Sequence, residues 1–211
     1  MKKYIIIICI FVIVLGIALF FIINNKNENF SNINKQNETE IANNVVIPPT
    51  PPAPSEPIIK ETELAKSSTK ILIDDANRNT NLKLTASKIN NYVLKVGQEF
   101  SFNEVVGNPT PEKGYKKASI IVDGKKEKGY GGGNCQISST LYNAVTKVHN
   151  LKVTERHEHE VDVGYIEKGK DATVVYDELD LKFKNNTSND IKIYIDVSKE
   201  KVNVKIMKLE A

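Results

Sequence analysis

A single cysteine follows three consecutive glycines in the segment GGGNCQISSTLYNA, residues 131–144. Glycine permits backbone conformations that are closed to other residues, and Asn134 is a favourable N-cap for a helix that follows. Cys135 would then open this helix, where the positive end of the helix dipole favours the thiolate. The segment predicts a nucleophilic thiol, with candidate ligand-binding residues around it at Gly131, Gly132, Gly133, Asn134 and Gln136.

Two histidines, His157 and His159, lie in the segment LKVTERHEHEVDVGY, residues 151–165. If this segment is extended and bends near the histidines, its odd positions place both imidazoles on one apolar face. An imidazole that takes the thiol proton, itself oriented by an acid, is the arrangement of papain-like and transglutaminase-like enzymes. The order of cysteine, histidine and acid along this chain is the same, and the acid is left open among Asp171, Asp177 and Asp180.

The same side chains allow two other interpretations. His157 and His159 could join Cys135 in a zinc site, although this set lacks a fourth ligand. We therefore predict no cofactor. The histidines could instead be structural, with Cys135 packed as a small hydrophobic residue. Against that, the helix after Asn134 has an apolar stripe from which Cys135 points away, formed by Ile137, Leu141, Ala144, Val145 and Val148.

The remaining pattern indicates the elements that position these residues. Helical periodicity predicts a helix over residues 79–92, and the turn dipeptide Asp123-Gly124 predicts a hairpin. Alternation predicts further strands at 100–102, 172–176, 179–183, 191–197 and 202–206. Helices early and strands late predict an α+β fold, with an antiparallel sheet around a central helix that starts at Cys135 and an architecture similar to that of papain-like or transglutaminase-like enzymes.

The N-terminal residues predict that the folded domain lies outside the cytoplasm. Tyr4 to Ile23 carry no charge and are long enough to span a hydrocarbon core of about 30 Å. Lys2 and Lys3 place the N-terminus in the cytoplasm, so residues 1–23 are predicted as an uncleaved transmembrane signal anchor. Residues 24–59, rich in Asn and Pro, are predicted as a disordered linker, and residues 60–211 as the extracytoplasmic domain.

Composition limits the classes of partner expected for this chain. The formal charge of +3 arises from 29 basic and 26 acidic residues, a balance that does not favour nucleic acid as a partner. The other cysteine, Cys9, lies inside the predicted membrane span, so no internal disulfide is predicted for the soluble part. The oligomeric state is left open.

Four segments together resemble one known family: TNLKLTASKINNYVLKVGQEFSFNEVVG, GGGNCQISSTLYNA, ERHEH and DATVVYDELDLKFKNNT. The chain is similar to the VanW-like domain family of vancomycin-resistance accessory proteins from about Asp75 to Ile195. Tyr142 flanks the glycine-cysteine segment and could line a peptide or glycan cleft, and the resemblance adds Arg156 to the candidate ligand-binding residues. Glu160 departs from the family pattern. It implies a bacterial cell-envelope protein with cell-wall peptide or glycan as its partner, and it implies no particular reaction.

We therefore predict a membrane-anchored envelope protein that acts on cell-wall peptides as a thiol acyl transferase or peptidase. In this prediction Cys135 is the nucleophile, His157 or His159 the base, and Asp180 or Asp171 the orienting acid. The alternative is a non-catalytic module that binds peptidoglycan or assists envelope assembly, and the metal site is a third choice.

Overall fold

The computed structural model describes residues 59–122 and 125–210, so the predicted membrane anchor and nearly all of the predicted linker lie outside the described residues. In this part of the chain no helix is long and apolar enough to cross a membrane. The described residues form three α-helices, nine strands and one 3₁₀ turn. The helices are α1 (Ala76–Ile89), α2 (Phe102–Val106) and α3 (Asn134–Val145), and the 3₁₀ turn is Pro111–Lys113. The strands are β1 (Lys60–Lys70), β2 (Tyr92–Leu94), β3 (Glu99–Ser101), β4 (Ala118–Val122), β5 (Lys125–Gly129), β6 (Leu151–Glu155), β7 (Lys182–Asn185), β8 (Ile191–Val197) and β9 (Lys201–Glu210).

The strands form three sheets, and every pairing is antiparallel. One sheet has the order β1-β9-β8-β2, the second β3-β7-β6, and the third is the hairpin β4-β5. The predicted α+β class with antiparallel pairing is therefore confirmed, in three sheets where one was expected. Strand β1 was not predicted because it is an edge strand in which only Ala65 and Thr69 are buried, so it lacks an apolar alternation.

Helix α1 begins earlier than predicted because Asp75 caps it. The Asp75 Oδ1 atom accepts a hydrogen bond from the Arg78 backbone N–H at 2.8 Å. The helix ends at Ile89, and Asn91, with a φ of 67°, turns the chain into β2. Tyr92, predicted as the end of the helix, is thus the first residue of a strand.

Helix α3 is the most enclosed element, with nine of its twelve residues buried. Ile137 and Leu141 lie in the hydrophobic core, but Ser138 and Ser139 are also at 0% exposure. The prediction that Cys135 points away from the core is therefore wrong, because another part of the chain covers the second face of α3, and the partly buried Cys135 packs against the core. The N-cap prediction is also wrong: the N-cap is Gly133, and Asn134 is the first helical residue.

The chain after β6 departs most from prediction. The strand expected over residues 151–165 ends at Glu155, and the strands expected at 172–176 and 179–183 shrink to two isolated bridges and β7. In this stretch, side chains of α3 bond the backbone at Lys170 and Ala172, which replaces part of a strand ladder. The strand predicted at 191–197 is confirmed as β8, and 202–206 lies within β9. The predicted hairpin strands pair as β4 and β5, whereas its turn, Asp123-Gly124, lies outside the described residues.

Candidate functional site

The glycine loop delivers Cys135 to the second position of α3. A Cβ atom on Gly132 would lie 2.7 Å from the Ser119 carbonyl oxygen, so only glycine allows this close approach to β4. Gly133 has a φ of 119°, which lets the chain enter the helix immediately before Cys135. The close approach that the glycines permit is therefore to the protein's own backbone, although all three glycines also line the cleft described next.

A cleft of about 570 Å³ opens beside the start of α3. Cys135 and His159 both line it, together with Arg78, Tyr165 and Thr173. Its lining also includes large apolar and aromatic side chains that are 39–58% exposed, namely Leu72, Ile73, Tyr130, Val175 and Tyr176. A cleft of this volume, with a few polar groups among apolar ones, is typical of a ligand-binding site.

His159 is held by Asp171 in one orientation. The Nδ1 atom of His159 lies 2.6 Å from Asp171 Oδ2, and the same carboxylate oxygen accepts the His159 backbone N–H at 2.6 Å. Both side chains are nearly buried, at 7% and 6% exposure. Because Nδ1 is engaged by the carboxylate, Nε2 is the imidazole atom left to interact with the Cys135 thiol. We call Cys135, His159 and Asp171 the cleft triad.

Arg156 in turn holds Asp171 in position. Its guanidinium donates to the Asp171 backbone oxygen at 2.7 Å and to the Asp171 Oδ1 atom at 3.3 Å. It also lies over the Tyr142 ring, 5.1 Å from the ring centroid. Arg156 and Tyr142, which were candidate ligand-binding residues, are thus placed behind the acid and outside the lining of the cleft.

The ionisation of the cleft triad favours a thiolate–imidazolium pair. Burial raises the pKa of Cys135, but hydrogen bonding and the charge of His159 outweigh it, so the thiol pKa is lowered. Burial lowers the pKa of His159, but its interactions with Cys135 and Asp171 outweigh this effect, so the imidazole pKa is raised. Burial likewise opposes ionisation of Asp171, and hydrogen bonds from His159 nevertheless lower the pKa of that carboxyl group. The three shifts together stabilise S⁻, imidazolium and carboxylate side by side.

The segment of residues 170–174 carries the acid and also covers the thiol. Ser138 Oγ donates to the Ala172 carbonyl at 2.5 Å, Ser139 Oγ accepts the Ala172 N–H at 2.9 Å, and Asn143 donates to the Lys170 carbonyl. Beyond these contacts, Thr173 Oγ1 lies 3.6 Å and the Val174 carbonyl oxygen 3.5 Å from the Cys135 sulfur. The polar residues of α3 therefore fasten Asp171 in register with Cys135.

The backbone N–H of Cys135 is the candidate oxyanion donor. The N–H groups of Asn134 and Gln136 donate to the carbonyls of Gly131 and Gly133, at 2.9 and 3.0 Å. Among the described residues, the Cys135 N–H has no such acceptor, as is usual in the first turn of a helix. A donor in this position could stabilise the oxyanion formed when the adjacent sulfur attacks a carbonyl group.

The side chains of Gln136 and Asn134 have structural partners. Gln136 Nε2 donates to Thr69 Oγ1 and to the Lys70 carbonyl, which ties α3 to β1. Asn134 Oδ1 accepts a hydrogen bond from Thr85 Oγ1 at 2.6 Å, which ties α3 to α1. Both residues line the cleft, but an oxyanion role for the Gln136 amide does not fit a nitrogen that already bonds two acceptors.

His157 and Asp180 lie in a second group of charges, away from the cleft lining. His157 Nε2 is 3.0 Å from Glu155 Oε1, and Glu155 Oε2 is 2.8 Å from Lys182 Nζ. Asp180 accepts hydrogen bonds from Ser101 Oγ at 2.5 Å and from the backbone N–H groups of Asn103 and Leu181. We call Glu155, His157, Asp180 and Lys182 the sheet cluster, because it joins the ends of β3, β6 and β7. Of the two candidates for each role, the structure places His159 and Asp171 with Cys135.

The residues of this site belong to a region that is shared with known proteins. Residues 77–207 match the family described as VanW like protein, which is more than half of the chain. The chain belongs to the VanW like protein family. The relative "Uncharacterized protein YoaR" of Bacillus subtilis (strain 168) is 41% identical over 135 residues, which cover 64% of this chain and 44% of YoaR. The "Vancomycin B-type resistance protein VanW" of Enterococcus faecalis (strain ATCC 700802 / V583) is 32% identical over 137 residues, which cover 62% of this chain and 49% of that protein.

This VanW-like chain therefore spans about half the length of the two curated relatives. No solved structure matches it. Within residues 59–122 and 125–210, no group of three or more His, Cys, Asp or Glu side chains is arranged to hold a metal ion.

Several residues of the site were not among the candidates predicted from the sequence. Arg78 lies on α1 but precedes the helix predicted over residues 79–92, and Tyr165, at the end of the predicted extended segment, lies in an irregular stretch. Ser138, Ser139 and Asn143 are on the face of α3 that appeared solvent-exposed. A run of small polar residues in a helix that is otherwise buried could have indicated that this face bonds another chain segment.

Proposed function

We propose that this VanW-like domain is a thiol-dependent acyl transferase or peptidase. The observation that carries the proposal is that Cys135 and His159 line one cleft while Asp171 contacts the His159 imidazole at 2.6 Å, with the thiol pKa lowered and the imidazole pKa raised. The order of the three residues along the chain is that of papain-like and transglutaminase-like enzymes, which we take as the mechanistic analogy.

The reaction would run in two balanced steps. The Cys135 thiolate attacks the carbonyl carbon of an amide, and the negative charge on the oxygen is stabilised by the Cys135 N–H. The C–N bond then breaks as the His159 imidazolium gives its proton to the leaving amine, which leaves a thioester on Cys135. In the second step His159 takes a proton from an incoming amine or water, the new C–N or C–O bond forms, and the C–S bond breaks to regenerate the thiolate.

Cell-wall peptides are the substrate class we propose. The name of the enterococcal relative links that protein to vancomycin resistance, and the family resemblance points to the bacterial envelope. The predicted anchor at Tyr4 to Ile23 and the linker after it would present the domain on the outer side of the cell membrane. Amide bonds of wall peptides, beside their glycan, are the acyl groups within reach there.

A covalent intermediate provides the test. The purified full chain, in mild detergent, is incubated with soluble peptidoglycan fragments, and products and intact protein are followed by mass spectrometry. We expect an acyl adduct on Cys135 and the release or transfer of a peptide, both abolished by Cys135→Ala. His157→Ala is the matched control, because this residue lies outside the cleft, and it should leave both signals in place. Product formation by the Cys135→Ala variant would disprove the proposal.

A non-catalytic binding module is the second candidate, and the exposed apolar lining of the cleft favours it. Leu72 and Ile73 are 58% and 53% exposed, and Tyr130 and Tyr176 add aromatic rings of the kind that stack on sugars and peptides. This function predicts that peptidoglycan fragments bind equally well to the wild type and to Cys135→Ser, and that no adduct forms. The same incubation, combined with a binding measurement, therefore decides between the two functions.

A further inference from the structure

Arg78 places a positive charge in the wall of the cleft. It belongs to the first turn of α1, and its side chain lines the cleft together with Cys135 and Tyr165. Its Nη1 atom donates to Gln136 Oε1 at 2.9 Å. Because Gln136 is itself bonded to Thr69 and Lys70, this contact holds the guanidinium next to the start of α3.

The remaining donors of this guanidinium have no carboxylate partner. In the part of the chain that the structure describes, Arg78 forms no ion pair, and its side chain donates the one hydrogen bond to Gln136. The nearby Asp75 is already engaged, since Oδ1 accepts the Arg78 backbone N–H at 2.8 Å and Oδ2 faces Lys128 Nζ at 3.9 Å. Tyr165 is no substitute for an anion, because burial raises its pKa and keeps the phenol protonated.

A half-buried arginine of this kind fits a ligand anion. Guanidinium presents several N–H donors in one plane and binds a carboxylate through two parallel hydrogen bonds. Arg78 acts electrostatically on both Cys135 and Tyr165, so its charge is felt where the sulfur would attack. Lys126 also lines the cleft, but it is an exposed residue of β5 and lacks a fixed partner among the described residues.

We infer that Arg78 binds a carboxylate of the acyl donor close to the amide that Cys135 attacks. This inference rests on the proposed function and narrows its substrate class to peptides with a carboxylate beside the scissile bond. Arg78 is then a specificity-determining residue, and Lys126 contributes only general positive charge.

Two alkylating reagents of similar size test the carboxylate site without any turnover. Iodoacetate and iodoacetamide both form a bond from the Cys135 sulfur to carbon with loss of iodide, and they differ in carrying a carboxylate or a neutral amide. Both need the thiolate, so the ratio of their rates cancels any change in thiol pKa. The full chain is used in a Cys9→Ser background, which leaves Cys135 as the one thiol because the sequence has two cysteines.

We expect the ratio of the iodoacetate rate to the iodoacetamide rate to exceed that of N-acetylcysteine by about tenfold, the effect of one charge-assisted contact. Arg78→Gln should return the ratio to that of N-acetylcysteine, while Lys126→Gln, the matched control, should keep most of the excess. A wild-type ratio equal to that of N-acetylcysteine would overturn the inference. So would an equal loss in both variants, because a diffuse positive field would then explain the preference.

A second measurement covers a failure of Arg78→Gln to fold. N-acetylglycine and N-acetylglycinamide are compared as competitors that slow iodoacetamide alkylation of the Cys9→Ser chain. The anionic competitor should protect Cys135 at lower concentration, and equal protection by the two compounds would count against the carboxylate site. Because these experiments measure binding and alkylation, a negative result here is distinct from a failure to form the acyl adduct on peptidoglycan fragments.

Discussion

The cleft triad and the sheet cluster are built from the same residue types and share one stretch of chain. Glu155 and His157 belong to the sheet cluster, and His159, two residues further on, belongs to the cleft triad. In both, a histidine contacts a carboxylate, at 3.0 Å from Glu155 and at 2.6 Å from Asp171. The difference lies in the surroundings: the His159 side chain is 7% exposed and lines the cleft with the Cys135 thiol, whereas the His157 side chain is 38% exposed and lies outside the cleft lining.

This comparison shows that the chemical role of a histidine–carboxylate pair depends on which groups surround the histidine and the carboxylate. In the sheet cluster, Lys182 completes the charge balance of Glu155, and the group joins strand ends. In the cleft triad, Arg156 takes the corresponding place beside Asp171, and the second imidazole nitrogen is left for Cys135. Matched substitutions in the two groups should therefore have different effects.

The largest effect is expected from replacing each of the two histidines by alanine. His159→Ala should lower the rate of thioester formation on peptidoglycan fragments by roughly 100- to 10,000-fold, because it removes the general acid and base. His157→Ala should react at nearly the wild-type rate. The measurement is single-turnover formation of the adduct on the full chain, and similar losses in both variants would mean that the two groups do not differ in the way the geometry indicates.

The pH dependence of the alkylation rate should distinguish Cys135 from an ordinary thiol. At pH 6 the alkylation rate of an ordinary thiol by iodoacetamide is about a hundredfold lower than at pH 8.5, because few thiols are ionised. Cys135 should lose less, since hydrogen bonding and the charge of His159 lower the pKa of its thiol against the effect of burial, and Cys135 and Asp171 raise the pKa of the His159 imidazole. Below the thiol pKa the sulfur is protonated, and above the imidazole pKa the imidazolium is lost.

Asp171→Asn should therefore steepen this pH profile toward that of an ordinary thiol, because the imidazolium loses its counter-charge. Asp180→Asn should leave the profile unchanged and lower the free energy of unfolding by about 1–3 kcal/mol, because it disturbs buried hydrogen bonds to Ser101, Asn103 and Leu181. Rates at both pH values and urea unfolding followed by circular dichroism give the two readouts. A profile that steepens equally in Asp180→Asn would contradict the assignment.

The smallest effect concerns the stability that the sheet cluster provides. Hydrogen bonds from Lys182 and then His157 lower the pKa of Glu155 to about 2. A carboxyl group with a depressed pKa stabilises the fold above its unfolded pKa, and this contribution is lost as the pH falls from about 4.5 through 2. Glu155→Gln should cost about 1–2 kcal/mol at pH 7, a value reduced for the partial exposure of the pair, and the difference from wild type should narrow on acidification. Urea unfolding at pH 7 and pH 3 checks this, and a difference that is constant with pH would refute the electrostatic explanation.

Much of the fold was accessible from the sequence because it depends on local patterns. The alternation of Ile191, Ile193 and Ile195 predicted β8, and the glycine-rich segment predicted the start of a helix within one residue of Asn134. The α+β class follows from the order of these patterns. Strand β1 and the irregular chain after β6 were missed, because an exposed edge strand and a segment bonded by side chains carry no period in their hydrophobicity.

The sequence by itself determined that one thiol lies at the N-terminus of a helix and that two histidines and several candidate aspartates follow it. It also determined that the chain is similar to the VanW-like family. Only the tertiary structure placed His159 and Asp171, rather than His157 and Asp180, near Cys135. The physical reason is that the chain bends after Glu155, so alternation no longer sets which side chains share a face. The position of Asp171 depends instead on Ser138, Ser139 and Asn143, which bond a segment 27 to 34 residues away and hold the acid and the histidine near Cys135.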